Sequence, residues 1–267
     1  MTADFLFWLA VAAKMAATAG FVVLATRMAE RAGPLIGAMI ATLPLAAAPS
    51  YAFVSLDHDS AFIATSALGS LAGNATNIVF CLVYARAAQR FGMVVSLAIG
   101  FAVWAILAVI LRQVIWTLPS VLLLNAGAVA VCLPLANRLR HAAMPAMVRR
   151  WYDVPLRAGM VAVLVAIVVT ISAQVGPTVT GLLAIFPIVL TSVIFIFHPR
   201  VGGRATAALI ANAVIGLAGF AIALTVLHLS AVPFGSAVAM ALWLLCSLAW
   251  NFSVVTLRGW RARIGAR

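Results

Sequence analysis

Apolar stretches of roughly twenty residues follow one another along almost the whole chain, and most charged residues lie in the short connections between them. A stretch of this length is what an α-helix needs to cross the hydrocarbon core of a bilayer. Only 8% of the 267 residues are charged and 66% are hydrophobic, whereas soluble domains carry roughly a quarter charged residues. The chain is therefore predicted to be an all-α integral membrane protein with no room for a soluble domain.

Charges, prolines and glycines divide the apolar pattern into about nine candidate transmembrane helices. They cover residues 5–26, 34–56, 60–85, 92–113, 116–137, 151–173, 177–198, 204–228 and 233–256. With the N-terminus outside, 14 of the 17 Lys and Arg residues fall on the inner side, at positions 27, 31, 86, 90, 138, 140, 149, 150, 200, 204, 258, 261, 263 and 267. Because inner connections are rich in basic residues, this predicts that the N-terminus lies outside and the C-terminus lies in the cytoplasm.

The chain also matches itself, without any gap, at one fixed spacing of 143 residues, which is the distance along the sequence from Lys14 to Arg157. We call it the repeat spacing. The other rarer residues that match at the repeat spacing are Gly33 with Gly176, Pro34 with Pro177, Pro44 with Pro187, Gly73 with Gly216, Phe91 with Phe234, Gly92 with Gly235, and Trp8 with Trp151. The offset covers an odd number of spans, so the second copy enters the membrane from the opposite side. We interpret this as an inverted repeat, the architecture by which one chain reaches inward-facing and outward-facing packings.

The repeat predicts a 4+1+4 arrangement of helices with four parts. Residues 1–113 form the first repeat, 114–150 a linking helix and a basic cytoplasmic loop, 151–257 the second, inverted repeat, and 258–267 a basic cytoplasmic tail. A genuine duplication is the interpretation adopted; the alternative is a pair of membrane helices that share Gly-Pro starts by chance.

Prolines stand near the centres of the second and seventh candidate helices. Pro44 and Pro187 each remove a backbone donor and clash with the preceding turn, so both helices are predicted to kink or break there. A broken helix presents free backbone groups inside the membrane, where many transporters bind their substrate. The alternative is a kink that serves packing alone.

Small and polar residues share one face of the third candidate helix. Ser66, Ser70, Asn74 and Asn77 recur there with Gly69 and Gly73, and Asn212 stands at a comparable place in the eighth helix. Close packing between helices explains such a face in part. The two asparagines favour a second interpretation, in which this face lines the substrate path.

Two basic residues, Lys14 and Arg157, lie inside the first and sixth candidate helices, and no candidate helix contains Asp or Glu beyond its first turn. A buried charge of this kind tends to be kept for a function, although Arg157 is close enough to the inner face to reach it. The predicted substrate is therefore anionic or neutral, and the predicted substrate-binding residues are Lys14, Pro44, Ser66, Ser70, Asn74, Asn77, Arg157, Pro187 and Asn212.

No catalytic residues, metal site or cofactor are predicted, and the chain is not expected to be an enzyme. The four histidines lie near helix ends, and Cys81, Cys132 and Cys246 lie apart in apolar stretches without metal-ligand spacing. The turn Asp57-His58-Asp59 either binds a metal weakly or, as we expect, caps the following helix.

The stretch Gly181-Leu-Leu-Ala-Ile-Phe-Pro187, followed by an apolar run and a Gly/Arg/Ala-rich turn at 202–208, resembles the GlpM-like family of small bacterial membrane proteins. Residues 33–64 show the same layout with Leu43-Pro44 in place of Phe-Pro. The resemblance implies a fused, inverted pair of such units in the bacterial inner membrane, with a periplasmic N-terminus and a cytoplasmic C-terminus. It also carries a proposed link to exopolysaccharide production in one branch of the family. No catalytic residues carry over.

The function expected is that of a secondary transporter that moves a small anionic or neutral solute by alternating access. The alternative is a non-transporting accessory subunit of an envelope or exopolysaccharide assembly complex. The expected partners are a small-molecule substrate, such as an organic anion, and the lipid bilayer; a homodimer stays open, and nucleic acid is not expected because the basic residues lie where topology requires them.

Overall fold

The computed structural model describes residues 3–31, 44–140, 142 and 150–264, and these residues form helices and no strand. Seven helices run through them: α1 (Ala3–Arg31), α2 (Ala47–Asp57), α3 (Ser60–Ala87), α4 (Met93–Leu111), α5 (Leu118–Asn137), α6 (Asp153–Ala184) and α7 (Ile188–Ile264). The Gly33-Pro34 start of the second candidate helix, His141 and Arg149 in the basic loop, and the chain end 265–267 lie outside the described residues.

Three glycines interrupt the last two helices. Gly176 breaks α6 with a φ of 74°, and Gly202 and Gly235 break α7, each with a φ of 81°. Glycine adopts this left-handed region without the steric strain that a Cβ brings. The breaks divide α6 into α6a (153–175) and α6b (177–184), and α7 into α7a (188–201), α7b (203–234) and α7c (236–264).

Five stretches of the described residues are long and apolar enough to cross a membrane: Phe7–Met28, Ser60–Ala87, Met93–Leu111, Leu118–Asn137 and Asp153–Leu257. The last is 105 residues long. A single straight helix of that length would measure about 160 Å, several times the thickness of a bilayer, and the glycine breaks divide this stretch into shorter helical segments. The fold class predicted at the coarse level, an all-α membrane protein, is confirmed.

Helix α3 is the central element of the bundle. Of its apolar window 83% is buried, against 11% for α1 and 17% for α5. It packs against α4, α5, α6 and α7, while α1 packs against α6. Large apolar side chains on the outer helices, such as Trp8, Leu123 and Leu245, are exposed, as expected where the surrounding solvent is lipid.

Contacts with α3 define two ends of the bundle. Near its start, His58 shares a hydrogen bond of 3.0 Å with Ser172, and Ser60 one of 3.2 Å with Ser236. We call this the acidic end, because Asp57 and Asp59 lie there. Near the last turns of α3, Tyr84 shares a hydrogen bond of 2.6 Å with His198. We call this the basic end, because Arg86, Arg90 and Arg138 lie there.

Candidate functional site

A broken helix crosses the interior of the bundle beside α3. Helix α6b runs inward from the acidic end and stops at Ala184, and α7a starts again at Ile188 and continues to the basic end. Pro187 stands in the gap, where it has no N–H to continue the helix. The Asn77 side chain, near the middle of α3, donates a hydrogen bond of 2.7 Å to the carbonyl oxygen of Ile185. The break therefore lies deep in the bundle, about halfway between its ends.

A cavity of about 280 Å³, which we call the central cavity, adjoins this break. It lies between the start of α2, the break itself, the middle of α3 and the middles of α7b and α7c. Its walls are formed by Pro44, Leu45, Ala46, Ala47, Asn77, Ala184, Ile185, Phe186, Pro187, Val189, Leu190, Ala213, Gly216, Leu217, Gly219, Phe220, Ser247, Trp250 and Asn251.

The chemistry of the central cavity is mostly apolar with a few amide and hydroxyl groups. Among the described residues, no Asp, Glu, Lys, Arg or His lines it; Asn77, Ser247 and Asn251 supply its amide and hydroxyl groups, and Trp250 supplies an indole N–H. The first turns of α2 and α7a also reach its wall, and helix N-termini carry a partial positive charge. The cavity is thus suited to a small, partly apolar solute that is neutral or carries a negative charge.

The predicted substrate-binding residues separate into two groups. Pro44, Asn77 and Pro187 are brought together at the central cavity, although they come from opposite halves of the sequence. The other six residues of the predicted set are not among those that line it.

Ser66 and Ser70 lie in the contact between α3 and α6b. Both side chains are fully buried, and Ser70 donates a hydrogen bond of 2.6 Å to the carbonyl oxygen of Gly181. A Cβ at Gly69 would overlap the carbonyl oxygen of Thr178, so the two backbones touch. At these positions the interpretation as close helix packing is the one that the contacts favour.

Asn74 joins three helices rather than lining the central cavity. Its amide nitrogen donates hydrogen bonds of 2.9 Å to Asn125 on α5 and 3.0 Å to the carbonyl oxygen of Leu217 on α7b. Asn212, at the comparable place on α7b, donates only to the carbonyl oxygen of Ala208 in its own helix.

Lys14 has a carboxylate partner. Its Nζ lies 2.9 Å from Oδ2 of Asp57 at the end of α2, and it is 6.0 Å from the ring centre of Phe53. Asp57 stands just outside the second candidate helix, 34–56, but it is the last residue of α2, where the four-carbon side chain of lysine can reach it.

A second ion pair lies at the basic end. Arg200, at the end of α7a, donates to both oxygens of Asp153 at the start of α6, with Nη1 at 2.9 Å from Oδ2. Arg150 donates a hydrogen bond of 2.7 Å to the Tyr152 hydroxyl, and this bond is the main cause of a lowered pKa for Tyr152. Arg157 is half-buried one turn along α6 from Asp153.

Several residues of the central cavity were not singled out from the sequence. Phe186, Phe220 and Trp250 look like ordinary apolar residues of a membrane helix, and their spacing carries no signal. Ser247 and Asn251 are four residues apart, which places them on one face of α7c. That spacing was the available signal for a polar surface in the last helix.

The turn Asp57-His58-Asp59 caps α3, as expected. The Asp59 carboxylate accepts a hydrogen bond of 2.8 Å from the backbone N–H of Phe62. Within the described part of the chain, no group of three His, Cys, Asp or Glu side chains is placed to hold a metal ion.

Comparison of this chain with protein-family models, curated proteins and solved structures found no match.

Proposed function

We propose that this protein is a secondary transporter that moves a small anionic or neutral solute through the central cavity by alternating access. The observation that carries the proposal is that the cavity is lined by matching residues of both halves of the chain. Four pairs at the repeat spacing line it: Pro44 with Pro187, Ala46 with Val189, Ala47 with Leu190, and Asn77 with Phe220. A cavity bounded by equivalent residues is expected on the symmetry axis of an inverted repeat.

The helix boundaries support the inverted repeat. Helix α3 begins at Ser60 and α7b at residue 203, and α4 begins at Met93 and α7c at residue 236, so both pairs of starts follow the repeat spacing. Asn74 also donates its hydrogen bond to Leu217, its own counterpart 143 residues along the chain. Two equivalent residues touch only where a two-fold axis passes between them, which supports an axis at the crossing of α3 and α7b.

We further propose nine membrane passes, with the seven helices as the described part of them. Broken helix α6b–α7a is one pass, α7b and α7c are two more, and α2 belongs to the pass that the sequence predicts over residues 34–56. The acidic end then faces the periplasm and the basic end the cytoplasm of the bacterial inner membrane, in agreement with the positions of Arg86, Arg90 and Arg138.

The two ion pairs are suited to hold the two ends of such a transporter. Lys14 and Asp57 join α1 to the end of α2 at the acidic end, and Asp153 and Arg200 join α6 to the end of α7a at the basic end. Asp57 and Arg200 are again counterparts at the repeat spacing. The matching helices α2 and α7a are thus held at opposite ends of the bundle, α2 through an acidic residue and α7a through a basic one. Each ion pair would break when its own end opens.

The substrate class follows from the walls of the central cavity. Its volume of about 280 Å³ is near the lower limit for ligand pockets, so the solute is small. Phe186, Phe220 and Trp250 favour an apolar body, while the N-termini of α2 and α7a favour a carboxylate or similar anion over a cation. No chemical step is assigned to the cavity residues, so we propose no enzymatic activity.

The alternative function, an accessory subunit of an envelope or exopolysaccharide assembly complex, rests on the resemblance to GlpM-like proteins. It predicts no solute in the central cavity. Binding of a small solute therefore separates the two functions.

A thermal-shift panel on the purified protein tests the proposal. The panel compares small carboxylates, from acetate to citrate, with their neutral amides. We expect at least one carboxylate to raise the melting temperature, because a ligand that binds only the folded state stabilises it by mass action. Proteoliposomes preloaded with that carboxylate should then exchange it with labelled carboxylate outside.

A variant that fills the central cavity provides the control. Gly216 lines the cavity and has no atom within 4 Å of an added Cβ, so Gly216→Phe is expected to place its ring in the cavity and to lose both the stabilisation and the exchange. Its melting temperature without ligand checks that it folds. Gly159→Phe places the same ring on an exposed face of α6 and should keep both. Equal responses of the two variants, or no response of the wild type to any member of the panel, would contradict transport through this cavity.

A further inference from the structure

A second cavity, which we call the basic groove, lies at the basic end between α3, α4 and α5. Its volume is about 630 Å³, and it shares no residue with the central cavity. Its walls are formed by Val83, Arg86, Ala87, Gln89, Arg90 and Phe91, together with Ile99, Leu135, Arg138 and Leu139.

The basic groove concentrates positive charge. Arg86, Arg90 and Arg138 are exposed, and no Asp or Glu of the described ranges lines the groove. The ion pair at the acidic end and the one between Asp153 and Arg200 involve none of its arginines. The groove therefore offers three guanidinium groups to an outside anion.

The rest of the basic groove is apolar and extends along the side of the bundle. Ile99 lies six residues after the start of α4, which is about 9 Å along the helix. Leu135 lies in the last turn of α5. Next to the groove, Val94 and Val95 on α4 are exposed by 72% and 49%. An apolar wall thus continues from the arginines toward the lipid-facing surface.

We propose that the basic groove binds an anionic phospholipid, with its phosphate at the three arginines and an acyl chain along the apolar wall. Guanidinium groups bind phosphate oxygens through paired charge-assisted hydrogen bonds, and basic pockets between membrane helices suit anionic headgroups. A soluble phosphate would use the arginines alone and gain nothing from Ile99 and Leu135. The combination of both surfaces selects the lipid.

The other half of the chain offers a comparison within the same molecule. At the repeat spacing, Arg86 and Arg90 correspond to Leu229 and Pro233, and Phe91 corresponds to Phe234. Leu229 is 58% exposed, so the position tolerates an apolar side chain. The helix packing therefore does not itself require arginine at these places.

Native mass spectrometry of the purified full chain tests the proposal. The protein is mixed with phosphatidylglycerol, with phosphatidylcholine or with inorganic phosphate, and bound lipid is counted. We expect retained phosphatidylglycerol, a weaker signal for phosphatidylcholine and none for phosphate. Each of Arg86→Gln, Arg90→Gln and Arg138→Gln should lower the preference for phosphatidylglycerol by about fivefold, the usual effect of one basic residue near an anionic headgroup.

Two further variants keep the result interpretable. Arg27→Gln removes one exposed positive charge on α1, outside the groove, and should leave the lipid preference unchanged. Ile99→Trp fills the apolar wall without changing charge and should reduce retention of phosphatidylglycerol. The proposal is overturned if Arg27→Gln lowers the preference as much as the groove variants, if Ile99→Trp has no effect, or if inorganic phosphate binds as well as the lipid.

Discussion

The Asn77 side chain holds the broken helix at the centre of the bundle. It donates to the carbonyl oxygen of Ile185, which the break leaves without a helical partner, and it accepts a hydrogen bond of 2.8 Å from the indole of Trp104. An amide side chain has four hydrogen-bonding places, so one N–H and one lone pair remain. Asn77 can therefore fix the break and still offer an N–H to a solute in the central cavity.

Replacing Asn77 should destabilise the protein more than replacing Asn212, an asparagine on α7b that serves as the control. Asn77→Leu leaves the Ile185 carbonyl and the Trp104 N–H buried without a partner, and each such group costs about 1–3 kcal/mol. Asn212→Leu removes only a bond to the carbonyl oxygen of Ala208 in the same helix. Thermal melts in detergent should show a clear loss for Asn77→Leu and almost none for Asn212→Leu; equal losses would show that the break does not depend on Asn77.

The Lys14–Asp57 pair should act as a unit at the acidic end. The Asp57 side chain is 49% exposed, so a contribution of about 0.2–1 kcal/mol is expected. Lys14→Gln, Asp57→Asn and the double variant should therefore lose similar stability in a double-mutant cycle.

Because Lys14 does not line the central cavity, Lys14→Gln should keep the thermal shift produced by a carboxylate, as should Arg157→Gln. A shift lost only in Lys14→Gln would return Lys14 to the substrate site.

The sequence could single out Pro44, Asn77 and Pro187, which line the central cavity, because a proline or an amide inside a membrane helix is conspicuous by its chemistry. It could not show which residues Lys14 and Ser70 contact. Helical spacing identifies the face on which a residue lies but not the helix that covers that face, and the partner of Lys14 is 43 residues away. The small-residue face of α3 meets α6b, a contact between residues more than one hundred positions apart.

The bounds of several helices can be predicted from the charged and turn-forming residues in the sequence. The candidate helix 60–85 corresponds to Ser60–Ala87, 92–113 to Met93–Leu111 and 116–137 to Leu118–Asn137, because charges and turn residues limit how far an apolar helix extends. The break before Pro187 also follows from local chemistry. The identity of neighbouring helices does not, since every apolar face is equally acceptable to lipid.

Close contact between α3 and α6b gives an element-scale prediction. An added Cβ at Gly69 or Gly181 would overlap a backbone carbonyl oxygen, whereas one at Gly127 on α5 meets no atom within 4 Å. Gly69→Ala should separate the two helices and lower the melting temperature. Gly127→Ala should be neutral or slightly stabilising, because alanine favours the helix by about 1 kcal/mol over glycine. A Gly69→Ala protein as stable as the wild type would contradict this packing.

At the scale of the whole molecule, two ends of opposite character are proposed to lie on the two sides of one membrane. Asp57 and Arg200 of the two ion pairs, the matching helix starts and four pairs of residues in the walls of the central cavity follow the repeat spacing. These relations connect parts of the chain that no local pattern links, so the sequence could suggest the repeat but not the contact between Asn74 and Leu217.

Membrane orientation can be measured with reporters that work only in the cytoplasm. Fusions after Arg267 and next to Arg140 should be active, and a fusion at Asp57 should be inactive, because the basic end is proposed to face the cytoplasm. An active fusion at Asp57 together with an active one at Arg140 would place both ends on one side and exclude the inverted arrangement.

Accessibility of the central cavity from each side of the membrane tests alternating access most directly. The native cysteines are replaced, and Ser247→Cys reports labelling of the cavity in oriented vesicles. A short bifunctional thiol reagent then links the thiols introduced by Lys14→Cys and Asp57→Cys in one variant. In the other variant it links the thiols introduced by Asp153→Cys and Arg200→Cys.

With the acidic end linked, an impermeant thiol reagent should label position 247 only from the basic end. With the basic end linked, the same reagent should label position 247 only from the acidic end. Labelling from the same side in both variants, or no change on linking either end, would contradict alternating access through the central cavity.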